Sequence, residues 1–287
     1  MSEQHRVRTA LGAGRWFPAD RQELGAMVTR FVDAADVPDL HGRLVSVIAP
    51  HAGYEYSGPV AGYAYRAARD DAGRHGPPET VVILGFSHRT AFRGVALMDG
   101  TAFATPLGQV PLDTEAAGLL IAADPRITLD HRPHVGEHSA ENQVPFVQTV
   151  LPEAELVIAL MGEPDPMLAQ MLAATLGRLA ARKKVLVVAS SDMLHDPDYE
   201  RVGATDRATL KQVAALDFDG LCSTWSYDRQ VFCGIGPVTT AMRFARQQGC
   251  AKGTVLHYRN SGDDHPESRG EWVVGYGAVA FATEDGR

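Results

Sequence analysis

The sequence predicts an α/β fold: a single-domain, layered α/β/α sandwich around a central, largely parallel or mixed sheet. Three observations predict it. Four apolar runs are nearly continuous in Val, Ile, Leu and Ala instead of alternating, the pattern of strands buried on both faces. Helical stretches alternate with the strands, as a mainly parallel sheet requires. No fixed-period repeat, low-complexity linker or composition shift divides the 287 residues, so one domain is expected over 1–287.

In chain order, strands are predicted at 44–50, 80–86, 156–161, 184–190, 254–258 and 272–282, each an apolar run bounded by turn residues. The first four carry the doubly buried pattern. Helices are predicted at about 57–71, 113–123, 139–150, 165–182, 199–215 and 237–248. The last opens at Gly236-Pro237, where the missing proline N–H costs nothing, and Gly249 marks its end. Residues 99–109, rich in Thr, Gly and Pro, read as a hairpin or excursion.

Composition narrows the function classes. With 45% hydrophobic and 22% charged residues the chain is an ordinary globular one, able to build a large core. Its 27 Lys and Arg against 35 Asp and Glu give a net charge of −8 with the signs mixed, which argues against a nucleic-acid partner. No apolar run approaches the roughly 20 residues of a membrane helix. The opening MSEQHRVRTA lacks the apolar core of a signal peptide, so a cytoplasmic protein without membrane attachment is expected. Cys222, Cys233 and Cys250 have no CxxC spacing, and each reads by default as a small buried apolar residue.

In open α/β sheets, ligands bind beyond the carboxyl ends of the strands. Here 44–50 runs into His51, 80–86 into Ser87-His88, and 184–190 into Ser191-Asp192-Met193-Leu194-His195. Three strands thus deliver a histidine to one edge. Imidazole is the commonest metal ligand and general base, so the convergence suggests a metal site, or a metal site with a base. Two His and one anion would suit Fe(II) with positions left open for substrate and O2. Glu137 and Cys233 both offer the anion. Cys233 stands before a glycine-rich turn and a helix start, a setting that favours thiolate. Spacing does not choose between them. His131 and His134 read as parts of a solvated connection. GIGPVT at 234–239 lacks the third glycine of a dinucleotide fingerprint, and GFSHR at 85–89 has Arg89 where a nucleophile elbow needs glycine.

The motifs APHAGYEYSGPVAGYAY (49–65), ILGFSHR (83–89), EHSAENQVPFVQ (137–148), ASSDMLHD (189–196), CGIGP (233–237) and VVGYGAVAF (273–281) together resemble the Memo family, known in bacteria and archaea as AmmeMemoRadiSam system protein B. The resemblance begins at Gly14-Arg15-Trp16-Phe17 and covers essentially the whole chain. It implies a fold like that of the class III extradiol dioxygenases, which use non-haem Fe(II) and O2 to cleave catechol-type rings. By motif, His51 and His88 would be the metal-binding imidazoles, with Cys233 in the place of the dioxygenase carboxylate. His195 would match the catalytic histidine, and Asp192 would lie beside the metal and orient an imidazole. Tyr54, Glu137, His138 and Trp16 would belong to the substrate pocket or its surroundings. Leu194, Asp196, Ala140, Asn142 and Gln143 depart from the family pattern at positions expected to line the pocket.

The reaction so implied joins O2 to an ortho-diphenol at Fe(II), with His195 taking and returning the substrate proton. Thiolate is softer and more easily oxidised than carboxylate, so the competing expectation is a non-catalytic protein that holds Fe, Cu or Zn, or binds a peptide or protein partner. A third reading is a hydrolase using metal-bound water.

Overall fold

The computed structural model describes residues 6–227 and 229–284. The chain runs β1 (Val7–Thr9), α1 (Arg21–Ala34), β2 (Leu44–Ala49), α2 (Tyr54–His75), β3 (Thr80–Phe86), β4 (Val95–Leu97), β5 (Ala102–Thr105), β6 (Gly108–Pro111), α3 (Thr114–Ala123) and β7 (Ile127–Leu129). It continues through α4 (Val144–Val150), β8 (Glu155–Met161), α5 (Pro166–Ala180), β9 (Val185–Ser190), β10 (His195–Asp196), α6 (Tyr199–Ala214), α7 (Phe218–Thr224), α8 (Ile235–Gln247), β11 (Thr254–Asn260), α9 (Ser261–Asp264) and β12 (Val273–Ala282).

The main sheet has the order β10-β12-β2-β9-β3-β8-β4-β7, with β11 also on β12. β2, β9, β3 and β8 are mutually parallel. β12 is antiparallel to β2, β10 and β11, and β4 is antiparallel to β8, so the sheet is mixed. The parallel strands are the four read as doubly buried, and their alternate side chains feed two cores. Val81 and Ile83 pack with α1, α2 and α4, whereas Val82 and Leu84 pack with α3, α5 and α8. Helices therefore lie on both faces. The expected hairpin is present as β5 and β6, which join β1 in a small second sheet.

Helices α1 and α4 differ from the sequence reading. No helix is predicted before 57–71, yet α1 forms, capped by Asp20, which accepts from the backbone N–H of Gln22 and Glu23. Its buried residues Leu24, Val28 and Val32 stand four apart, a stripe too narrow to stand out among charged neighbours. It packs tightly on α2, where a Cβ on Gly62 would lie 2.4 Å from the Phe31 carbonyl oxygen. The predicted helix 139–150 is shorter, because Glu141–Gln143 forms a 3-10 turn and only Val144–Val150 is α-helical.

Asp206 on α6 ties the segment after β9 to the sheet. Fully buried, it accepts from Leu194 N at 3.2 Å and from the Tyr258 hydroxyl at 2.9 Å. Burial raises its carboxyl to about 7, against the lowering effect of those two hydrogen bonds. The folded value lies above the unfolded value of about 3.9, so this group's stabilisation is complete below that value and is lost as pH rises through 7. Asp206→Asn is expected to flatten that decline, whose slope between the two values is on the order of 1.4 kcal/mol per pH unit. Urea midpoints compared at pH 5 and pH 8 for the two proteins would measure it.

Candidate metal centre

The carboxyl ends of the parallel strands face one edge, and the backbone there places the predicted residues together. His51 follows β2, His88 follows β3, and Ser191-Asp192 follows β9. Cys233 arrives from the loop before α8. Ligand atoms of His51, His88 and Cys233 all lie within 4.8 Å of one another, and His51 Nε2 is 3.4 Å from Cys233 Sγ. That is the spacing of a nitrogen and a sulfur bound to one ion at about 2.1 and 2.3 Å with a near-tetrahedral angle.

The hydrogen bonds fix which ring nitrogen faces the cluster. Ser190 Oγ donates its one proton to the Ser139 carbonyl and accepts from Gln143 Nε2 at 2.8 Å. Facing His51 Nδ1 at 3.0 Å, that oxygen can only accept, so Nδ1 carries the proton and Nε2 offers its lone pair. His88 is held the same way. Its Nδ1 lies 3.0 Å from Glu137 Oε1, a carboxylate that only accepts, which leaves Nε2 free. Both imidazoles are thus set in the tautomer a metal requires.

Electrostatics agree with the geometry. Burial opposes ionisation of Cys233, yet the positive charge and hydrogen bond of His51, with a hydrogen bond from His88, bring the thiol down to about 5. Against burial, Cys233 and Glu137 raise His88 to about 10. Burial likewise opposes charge on His51, and the Cys233 and Asp192 charges raise it. The cluster therefore favours the Cys233 thiolate and positive charge on the ring nitrogens that face it, a charge that a divalent cation would supply in place of Nε2 protons.

Glu137, the rival ligand of the sequence reading, is occupied otherwise. Besides His88 Nδ1 it accepts the backbone N–H of His88, His138 and Ser139, and these contacts hold its carboxyl down at about 2 despite burial. His88, Glu137 and His138 form a second compact group, but its carboxylate already accepts from four donors. The first group has the freer ligand atoms. Glu137→Gln is expected to weaken metal affinity by about 10- to 100-fold, since the amide presents an N–H to one of those backbone donors. Chelator competition would measure this, with thermal unfolding as the folding control.

The remaining candidates separate into those at the cavity and those away from it. His195 and Cys233 line one cavity of about 690 Å³, together with Leu194, Asp196, Arg201, Arg229 and Trp272 among others. His195 Nε2 is buried there with no hydrogen-bond partner among the described residues. Among the described residues Asp192 makes no hydrogen bond to an imidazole, where the resemblance implies that it orients one. Its Oδ1 accepts from the backbone N–H of His51 at 2.7 Å and Ala52 at 3.2 Å, fixing the strand end instead of the ring. Tyr54 is buried and its hydroxyl donates to the Asn142 carbonyl at 2.7 Å; it does not line that cavity but, with Trp16, a separate one of about 220 Å³. Trp16 stacks on His138 with centroids 4.1 Å apart, also away from the larger cavity. Burial and the nearby His51 charge push His138 down to about 3, so this ring is neutral.

Leu194 and Asp196 line the cavity as expected, but Asn142 and Gln143 do not. Asn142 Nδ2 donates to the His51 carbonyl, and Gln143 Nε2 to the Pro50 carbonyl and Ser190 Oγ. The solvated connection read for His131 and His134 is corrected at His134. His134 is buried with Nε2 3.1 Å from the Ala96 carbonyl, because the 3-10 turn Arg132–His134 packs against β4. Ser139 and Ser190 escaped the sequence reading, their only signal being their place within the EHSAENQ and ASSD motifs. Arg201 and Arg229 carried no motif at all. Cys250 is buried and apolar in setting, Cys222 is half-buried, and all three cysteines are free.

The chain matches the family described as Memo-like protein over residues 8–280. It is 33% identical to a MEMO1 family protein of Methanopyrus kandleri, covering 96% of this chain and 98% of that one. A MEMO1 family protein of Nitrosopumilus maritimus is 30% identical, with 96% and 99% covered. The crystal structure of an uncharacterized protein of Escherichia coli K12 superposes with a TM-score of 0.51 at 14% identity, covering 84% of this chain and all of that one, a likeness of fold alone. Among the described residues no helix is long and apolar enough to cross a membrane.

Proposed function

This chain belongs to the Memo-like protein family, and from that premise we propose that His51, His88 and Cys233 hold Fe(II) in an oxidoreductase of dioxygenase type, acting with O2 on a small catechol-type molecule. The observation that carries the reading is the pair of Nδ1-protonated imidazoles whose free nitrogens meet a thiolate beside a large cavity. Two imidazoles and one anion are a donor set that leaves positions open for substrate. When bound, the ion supplies activation of an ortho-diphenol and O2 at one centre.

The chain's own residues do the rest. Ser190 and Glu137 orient the two rings, and Asp192 holds the strand end that carries His51. His195, a residue of the cavity lining whose Nε2 has no hydrogen-bond partner among the described residues, takes the phenolic proton and later returns it. The layered α/β frame is read as that of the class III extradiol dioxygenases, and a cytoplasmic setting would keep Cys233 reduced. A second reading, a protein that holds Cu or Zn without turnover, is favoured by one observation: the buried thiolate is a soft ligand.

The test is O2 uptake by anaerobically Fe(II)-loaded protein given a panel of ortho-diphenols. Uptake with ring-cleavage chromophores is expected. Stoichiometric iron with no uptake across the panel would leave the metal-holding reading in its place.

A further inference from the structure

A single aromatic ring fills a small part of the 690 Å³ cavity, whose volume falls in the range that takes drug-sized ligands. Its walls carry two guanidinium groups, Arg201 and Arg229. Asp196, on the same wall, lies 3.4 Å from Arg201. Among the described residues Arg229 has no carboxylate within ion-pair distance. Arg229 is thus a guanidinium on the described lining without a carboxylate partner, in a protein of net charge −8. Trp272 and Tyr227, also on the lining, are 57% and 66% exposed, offering aromatic faces to a ligand longer than one ring.

Taking the diphenol reading as given, we infer that the substrate carries a carboxylate on an arm, bound by Arg229 with help from Arg201, while its ring faces Cys233 and His195. The guanidinium fork matches a carboxylate in two parallel hydrogen bonds, a geometry a neutral ester cannot reproduce. Arg201 contributes less because it already faces Asp196.

Calorimetric titration of Zn(II)-loaded protein without O2 tests this, using dihydrocaffeate, its methyl ester and phenylpropanoate, with metal content measured throughout. Dihydrocaffeate is expected to bind roughly 10-fold or more tighter than the ester. Arg229→Gln should bring the acid down to the level of the ester, and Arg201→Gln should take a smaller part of the advantage. Acid and ester binding alike, or an advantage that survives both substitutions, would overturn the inference. Phenylpropanoate binding as tightly as dihydrocaffeate, with both weakened by Arg229→Gln, would support the anionic arm and remove the diphenol reading. Binding of none of the three probes would overturn both.

Discussion

Cys233→Ser protein is expected to fold and to lose more than about 100-fold in metal affinity. Structural zinc contributes about 10–16 kcal/mol over four ligands, so one ligand is worth roughly 3 kcal/mol. Serine keeps nearly the same volume in this buried position, but its hydroxyl does not ionise beside the two rings, so the site loses its anion. The metal-free variant also lacks the charge that raises His51 and His88, and both rings should lose their protons at lower pH than in the parent. Chelator competition gives the affinity, and histidine NMR titration gives the protonation. Full affinity in the variant would place the metal elsewhere.

His195→Ala should separate chemistry from metal binding. Among the described residues this ring lines the cavity without a hydrogen-bond partner at Nε2 and lies outside both candidate ligand groups, so its loss should leave metal content as in the parent. Removing a positioned acid–base group lowers turnover by about 10²–10⁴-fold. O2 uptake on a responsive diphenol measures the loss. Uptake at the parent rate with iron retained would remove His195 from the proton transfer.

The parts of the fold legible in the sequence were those with a strong period or an unbroken apolar run. β2, β3, β8 and β9 are legible because strands buried on both faces must be apolar throughout. The short strands β4 and β7 are not, since three residues carry no period. At the site, His51 and His88 were legible from their place just after a strand. Cys233 was not separable from Glu137 by spacing, because both come from loops whose approach is set by tertiary packing. Glu137 shows why: a carboxylate that binds a metal and one that binds an imidazole beside it look alike in sequence. Ser190 and Gln143 determine the tautomer of His51 through three hydrogen bonds that no local pattern announces.

The ion is proposed to sit on His51, His88 and Cys233. X-ray absorption of the anaerobic Fe(II)-loaded protein tests this most directly. One sulfur and two imidazole nitrogens around the iron are predicted, with the sulfur gone in Cys233→Ser. A stoichiometric iron with only nitrogen and oxygen neighbours in the parent protein would rule out this ligand set and move the ion to His88, Glu137 and His138.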